Sequence, residues 1–480
     1  MQRPGSTQLY VFAALLAASI VSAGEQPKKT QRFYEMDYGA FFAQSFMTDP
    51  AAKFNNDNGD FTTDVTPRGI AIKLEDNWNG GVIFDTATLR YSAGWTGVQI
   101  KLRGTSFDGA HGPCSSPGNT AVFVTPQAPG WANAAGSFTD PRPNNIAPLP
   151  PAGPLPAEWA RFKGLYRHGS QTILYYTVGK ATVHELNSQE SKDAVKAFVR
   201  TLRLEGADSP QLMMVASAKD QTGSANGLSA TLGTVNIALS EAPAGAQFVA
   251  AGDQIHLKIP AQKGAVTFKL FIAGGGEAAK AAFAEIVKTS PKAIDLIALT
   301  NGGPAVWTQE VVTKGVLAED VALEEARKKS KEPLTPEQTK EIVEKLDAYR
   351  LDVLTVPYDN PYKSWMRTGA MDFFADGTRA AVSTWSGDVW IVSGIDEKLE
   401  NLKWKRYATG IHHPLGLKIV DEKIYTVGNS QITRLHDLNN DGEADFYECF
   451  NNDWQTTTAF HAFCFDLHTD PQGNFIFAMG

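Results

Sequence analysis

Residues 437–448, Asp437-Leu438-Asn439-Asn440-Asp441-Gly442-Glu443-Ala444-Asp445-Phe446-Tyr447-Glu448, fit the pattern D-x-[DN]-x-[DN]-G-x5-E throughout. A hard divalent cation such as Ca2+ takes about six to eight oxygens at ~2.3–2.6 Å, so acceptors at positions 1, 3 and 5 must converge on one point. Asp437, Asn439 and Asp441 would supply those side-chain oxygens, and Gly442 permits the sharp turn. Glu443 would add its backbone carbonyl, Asp445 would act through water, and Glu448 would close the site with both carboxylate oxygens. The flanking helices of an EF-hand are missing, since Ile432-Thr433-Arg434-Leu435 reads as a strand. The expectation is a calcium loop between strands. The competing reading is an Asp/Asn/Gly-rich turn held by its own side-chain hydrogen bonds.

Two histidines introduce strands in matching surroundings: His413-Pro414-Leu415-Gly416 and His461-Ala462-Phe463-Cys464. An imidazole titrates near neutral pH, so His413 and His461 are candidate general bases. The alternative is a histidine simply hydrogen-bonded in a packed interior. His111 stands beside Gly112 and near Cys114 with no second histidine close by, a poor metal set. Trp365, Trp385, Trp390, Trp404 and Trp454 are candidate sugar-stacking faces, although most aromatic residues in such a region serve packing. The three cysteines, Cys114, Cys449 and Cys464, permit at most one disulfide. Cys449 and Cys464 would pair across adjacent strands or remain buried thiols. No C-x-x-C-H occurs, so this chain attaches no c-type haem. Gly274-Gly275-Gly276 precedes a helical stretch but lacks the G-K-[ST] ending of a phosphate loop.

The elements that must position these groups are mainly β. Residues 1–23 read as a signal peptide, with Arg3 before the apolar run Leu9–Val21 and a Val21-Ser22-Ala23 cleavage site, so export to the periplasm or outside the cell is expected. That run is too short to span a bilayer, and no other stretch approaches the required length. A net charge of −8 offers no attraction to nucleic acid or anionic lipid. Residues 35–273 carry period-2 apolar runs, including Gly69–Leu74, Val98–Leu102 and Ile173–Val178, which predict a β-sandwich-like region. Strands are also expected over 192–204, 210–217, 229–240, 247–259 and 265–273, and a Pro-rich loop over 126–156. Residues 274–356 predict a short helical connector, with Thr335 as N-cap and Gln338 in the capping-box position.

Residues 357–480 repeat a strand–turn–strand unit about every 46–48 residues, the signature of β-propeller blades. Two to three blades are present where closure takes about four to eight, so an incomplete propeller from a longer protein is expected.

His413-Pro414-Leu415-Gly416 with Asp421–Tyr425, and His461-Ala462-Phe463-Cys464 with Pro471–Gly480, resemble blades of the glucose/sorbosone dehydrogenase family. The resemblance implies a secreted, calcium-containing quinoprotein that oxidises sugars or polyols with pyrroloquinoline quinone. One such histidine would take the hydroxyl proton as hydride passes to the quinone. Cys464 stands where the family pattern has glycine, and the quinone's Arg and Lys ligands would lie on further blades. Residues 80–97 and 107–112 resemble an uncharacterised domain of large secreted bacterial proteins, where it is joined to a propeller and often to a haem c module. The leading expectation is thus a sugar dehydrogenase-like protein with an unidentified electron acceptor. The alternatives are a non-catalytic carbohydrate- or protein-binding propeller, or an electron-transfer protein whose haem module follows Gly480.

Overall fold

The computed structural model describes residues 31–48, 65–111, 114–118, 121–143, 151–330, 332–346, 350–456 and 462–480. The signal-peptide reading at 1–23, His461 and part of the Pro-rich loop lie outside the described residues. After a short helix α1 (Arg32–Glu35), strands β1 (Phe41–Met47), β2 (Val65–Lys73), β3 (Gly81–Asp85), β4 (Arg90–Trp95) and β5 (Phe123–Val124) form one antiparallel sheet in sequence order. β3 and β4 are buried at every position, because both faces of this sheet are covered. Phe42, Phe46, Ile83 and Trp95 pack on one side; Ile70, Ile72, Phe84 and Tyr91 enter the main core on the other.

Long strands follow: β6 (Ala160–His168), β7 (Gln171–Val178), β8 (Ala181–Lys192) and β9 (Val195–Glu205). β10 (Gln211–Ser217) comes next, then β11 (Gly223–Asn226), β12 (Ser229–Leu232) and β13 (Val235–Ser240). β14 (Gln247–Ala251), β15 (Gln254–Ile259) and β16 (Val266–Ala273) complete the region. The runs 229–240 and 247–259 are hairpins rather than single strands, since Gly233 and Gly252 adopt positive φ and turn the chain. Val98–Leu102 is no strand; only Lys101 makes an isolated bridge, to Ser116, and the alternation instead seats Ile100 and Leu102 under the first sheet.

The connector holds α2 (Gly276–Thr289), β17 (Glu310–Thr313), α3 (Ala318–Lys329) and α4 (Pro336–Glu344). α4 has both bonds of the expected capping box: Gln338 N donates to Thr335 Oγ1, and Thr335 N to Gln338 Oε1. No helix among the described residues is long and apolar enough to cross a membrane.

Beyond the connector come two antiparallel meanders and a hairpin. The first meander is β18 (Thr368–Phe373), β19 (Arg379–Thr384), β20 (Val389–Ser393) and β21 (Leu402–Ala408). The second is β22 (Gly416–Val420), β23 (Lys423–Val427), β24 (Ile432–His436) and β25 (Phe446–Asn451). The hairpin is β26 (Cys464–Thr469) with β27 (Phe475–Met479). β18, β22 and β26 start at residues 368, 416 and 464, an even 48-residue spacing, and pack side by side, as the leading strands of successive blades do.

The blade-like units are not separate from the rest. β17 adds to the outer strand of the first unit, pairing Glu310 with Lys405. β6 adds to the outer strand of the second, pairing Phe446 with Tyr166 and Glu448 with Gly164. One twelve-stranded sheet therefore runs from β11 to β22. A single core joins Phe84, Leu174 and Leu202 to Tyr407, Leu435 and Tyr447.

At the β6–β25 junction Gly164 has φ +137, and a Cβ there would stand 2.3 Å from the Tyr447 carbonyl oxygen. Gly164→Val is expected to lower stability by at least about 2 kcal/mol. The wild-type chain should melt in one transition followed alike by far-UV dichroism and tryptophan fluorescence. Two separated transitions would show that the N-terminal sheets and the blades fold independently.

Candidate functional site

The 437–448 loop links β24 to β25. Asp437 accepts from the backbone N–H of Asp441 at 3.2 Å and of Gly442 at 2.8 Å, and Asn439 Oδ1 accepts from Asp441 N at 3.1 Å. Asp441 Oδ1 accepts from Glu443 N at 2.9 Å, and the Lys405 ammonium donates to the Asp441 carbonyl. Gly442, at φ +83, makes the turn. The first three positions of the pattern thus curl around the loop's own amides. Glu448 lies on β25 with Oε2 at 2.7 Å from His436 Nε2, away from those three. Among the described residues no group of three or more His, Cys, Asp or Glu side chains has metal-holding geometry.

Glu443 and Asp445 do something the pattern does not foresee. Glu443 is fully buried, accepting from Val306 N at 2.9 Å and Trp307 N at 2.5 Å, and its carboxylate lies 3.0 Å from Arg167 Nη2. Asp445 accepts from Gly303 N at 3.0 Å and Leu438 N at 2.9 Å. Burial pushes its carboxyl above the usual range, against the lowering effect of those amides and Arg167. These two side chains fasten the connector to the blades.

A second constellation gathers where the leading strands meet. His413, in the turn before β22 at φ 48, is 6% exposed, and neither ring nitrogen has a hydrogen-bond partner. Its ring lies 4.8 Å from His412, 5.8 Å from Phe463 and 6.2 Å from Trp385, centroid to centroid. Burial, helped by the Arg367 charge, lowers its pKa from the ordinary 6.5 to about 3. His412 is also buried, with Nδ1 2.6 Å from Ser430 Oγ, and burial holds it well below its ordinary value. An imidazole this hard to protonate is a weak general base at neutral pH.

Beside His413 the Arg367 guanidinium lies over two indoles, 3.6 Å from the Trp365 ring centroid and 4.7 Å from that of Trp385. Nη2 donates to the Ser106 carbonyl and, at 3.2 Å, to Ser386 Oγ. Burial lowers this guanidinium from 12.5 to about 10. The pairing was readable only as a row of tryptophans; nothing in the spacing of Trp365, Arg367 and Trp385 announced that they stack. Trp390 and Trp404 are fully buried in the core of the first unit. All three cysteines are free, and burial pushes Cys449 up to about 12 and Cys464 to about 11, keeping both as thiols.

The family model of a domain of unknown function (DUF6797) matches residues 82–185. The matched stretch runs from β3 into β8. It includes the buried set in which Glu185 accepts from Tyr176 Oη at 2.8 Å and from Arg200, beyond the match, at 2.5 Å. No curated protein matches the chain, and no solved structure does. The comparisons hold nothing in favour of the glucose/sorbosone dehydrogenase resemblance; they support a DUF6797 stretch within a mainly β chain.

The depressed histidines set a pH dependence. The unfolded chain protonates His413 below about pH 6.5 while the folded chain resists until its pKa near 3, so the unfolded state binds more protons in that window. Stability should be full above this window and fall as pH drops, by about 1.4 kcal/mol per unit for each such histidine. Urea unfolding between about pH 7 and about pH 5 tests this in a range where most carboxylates stay ionised. His413→Phe should make the slope shallower; an unchanged slope would exclude His413 as its source.

Proposed function

We propose that this is an exported, non-catalytic carbohydrate-binding protein whose ligand docks at the meeting point of the leading blade strands. The supporting observation is the partly buried Trp365–Arg367–Trp385 group beside His413. Indole faces offer flat apolar area for the C–H face of a sugar ring, and an adjacent fixed guanidinium offers hydrogen-bond donors for its oxygens. His413 with a pKa near 3, and no carboxylate bonded to either ring nitrogen, lacks the orientation and basicity of a proton acceptor. Residues 1–23 serve as the export signal in this reading.

Calcium belongs to the same proposal as a structural ligand of the 437–448 loop. Asp437, Asn439 and Asp441 are the side chains that would hold it, and Glu448 would have to leave His436 to join them. Calcium should then raise the melting temperature of the full-length protein relative to chelator, by linkage. Asp437→Asn with Asp441→Asn should abolish the difference. Identical melting with and without calcium in the wild type would leave the loop as a plain turn.

Binding itself is tested by calorimetry of the full-length protein against an oligosaccharide panel. Trp385→Ala should weaken the best ligand about tenfold, the size of one lost aromatic contact with its buried area. Reduction of an artificial acceptor by wild type with pyrroloquinoline quinone, calcium and a sugar would replace this reading with the dehydrogenase one.

A further inference from the structure

Among the described residues, most of the buried arginines are answered by a carboxylate. Arg167 lies 3.0 Å from Glu443, Arg200 2.5 Å from Glu185, and Arg406 2.6 Å from Asp388. Arg142 lies 2.6 Å from Asp140 and Arg90 3.4 Å from Asp85. The pattern follows from desolvation: a buried cation without an anion is costly. Arg68 breaks it, and so, partly buried, does Arg367. Arg68 is 1% exposed and sealed, with Nη1 donating to the Asn452 carbonyl at 2.6 Å and Nη2 to that of Trp454.

Arg367 is different because it is only half-buried. No carboxylate pairs with it among the described residues, and its partners are one carbonyl and one hydroxyl. Nε is buried without a partner, and among the described residues Nη2 alone makes the guanidinium's hydrogen bonds, leaving Nη1 without one. The guanidinium lies against two indoles, and Nη2 is bonded to the Ser106 carbonyl and Ser386 Oγ, so the direction of its remaining N–H groups is set before any ligand arrives. Its charge acts on its surroundings, adding to the depression of His413. A preoriented, unpaired guanidinium against aromatic faces is a receptor for an anionic oxygen group.

We propose that the saccharide bound at this place is anionic, with its carboxylate or sulfate group seated on Arg367 Nη1 and its ring against Trp385. This rests on the carbohydrate-binding reading above and sharpens it to a substrate class. Uronates and sulfate esters share the required chemistry: a negative group on a sugar ring.

Calorimetry of the full-length protein separates the cases, using three oligosaccharides of equal length: a neutral one, a uronate-containing one and a sulfated one. At least one anionic probe should bind about tenfold or more tightly than the neutral one, the size of one charge-assisted hydrogen bond. Its affinity should fall as salt is raised. Whichever anionic probe binds better identifies the source of the charge. Arg367→Gln should bring it down to the neutral level, and Arg367→Lys should keep part of the preference. If Arg367→Gln does not fold, the salt dependence and the anionic-to-neutral ratio of wild type decide. Equal binding of all three probes, weakened by Trp385→Ala, overturns this inference and leaves carbohydrate binding standing. No binding of any probe overturns both.

Discussion

Trp307 sits between two cations, 4.9 Å from the Arg167 guanidinium and 5.0 Å from that of Arg406, and the described architecture depends on that sandwich. Arg167 comes from β6 in the N-terminal region and Arg406 from β21 in the first blade-like unit. Trp307 itself belongs to the connector. Its backbone N–H donates to Glu443 in the second unit, and its indole N–H donates to Asp37 at 3.2 Å, near the start of the described chain. Four segments far apart in sequence meet at this one residue. Each guanidinium stacked on that indole has its own buried carboxylate, Glu443 for Arg167 and Asp388 for Arg406. Removing any one charge would strand its partner in a low-dielectric interior, which is why such a set acts as a unit.

The same constraint bears on the outer edges of the blade-like units. A meander of four strands has two edges, and an unpaired edge invites association with other chains. Here the outer edge of the first unit is covered by β17 and that of the second by β6. Both covering strands come from earlier in the chain, and both lie within a few residues of the Trp307 sandwich: Arg167 is on β6, and β17 begins at Glu310. Pinning Trp307 thus anchors the chain next to both added strands, although β17 itself becomes the outer strand of the first unit's sheet. The DUF6797 stretch ends inside this arrangement, with β6, β7 and part of β8 built into the twelve-stranded sheet.

Much of the local structure was legible in the sequence because it is decided locally. The Thr335–Gln338 capping box, the helix after Gly275 and the 48-residue repeat of leading strands each follow from neighbours within a turn or a hairpin. The failures have equally local causes: 229–240 and 247–259 were long apolar runs in which a single positive-φ glycine makes a hairpin. Val98–Leu102 alternates because its apolar residues face a sheet, not because it belongs to one. What could not be read was everything decided at a distance. Nothing near Arg167 in sequence points to Glu443, and nothing near Arg367 says that it has no carboxylate. A cation looks the same in a sequence whether or not it is paired.

The 437–448 loop shows the same division within twelve residues. Its pattern assigns all six acidic or amide positions to one cation, but burial separates them. Glu443 and Asp445 are inside, where an ionised carboxylate persists only with a cation or several N–H donors, and they have Arg167 and four backbone amides. Asp437, Asn439 and Asp441 stay nearer the surface, where folding onto loop amides leaves lone pairs open to solvent. Only this outer half keeps oxygens that a cation could take without breaking the core, while the inner half holds the connector in place whether or not a cation binds. The motif describes a chain able to turn tightly with many oxygens facing inward, and the tertiary contacts decide which of those oxygens remain free.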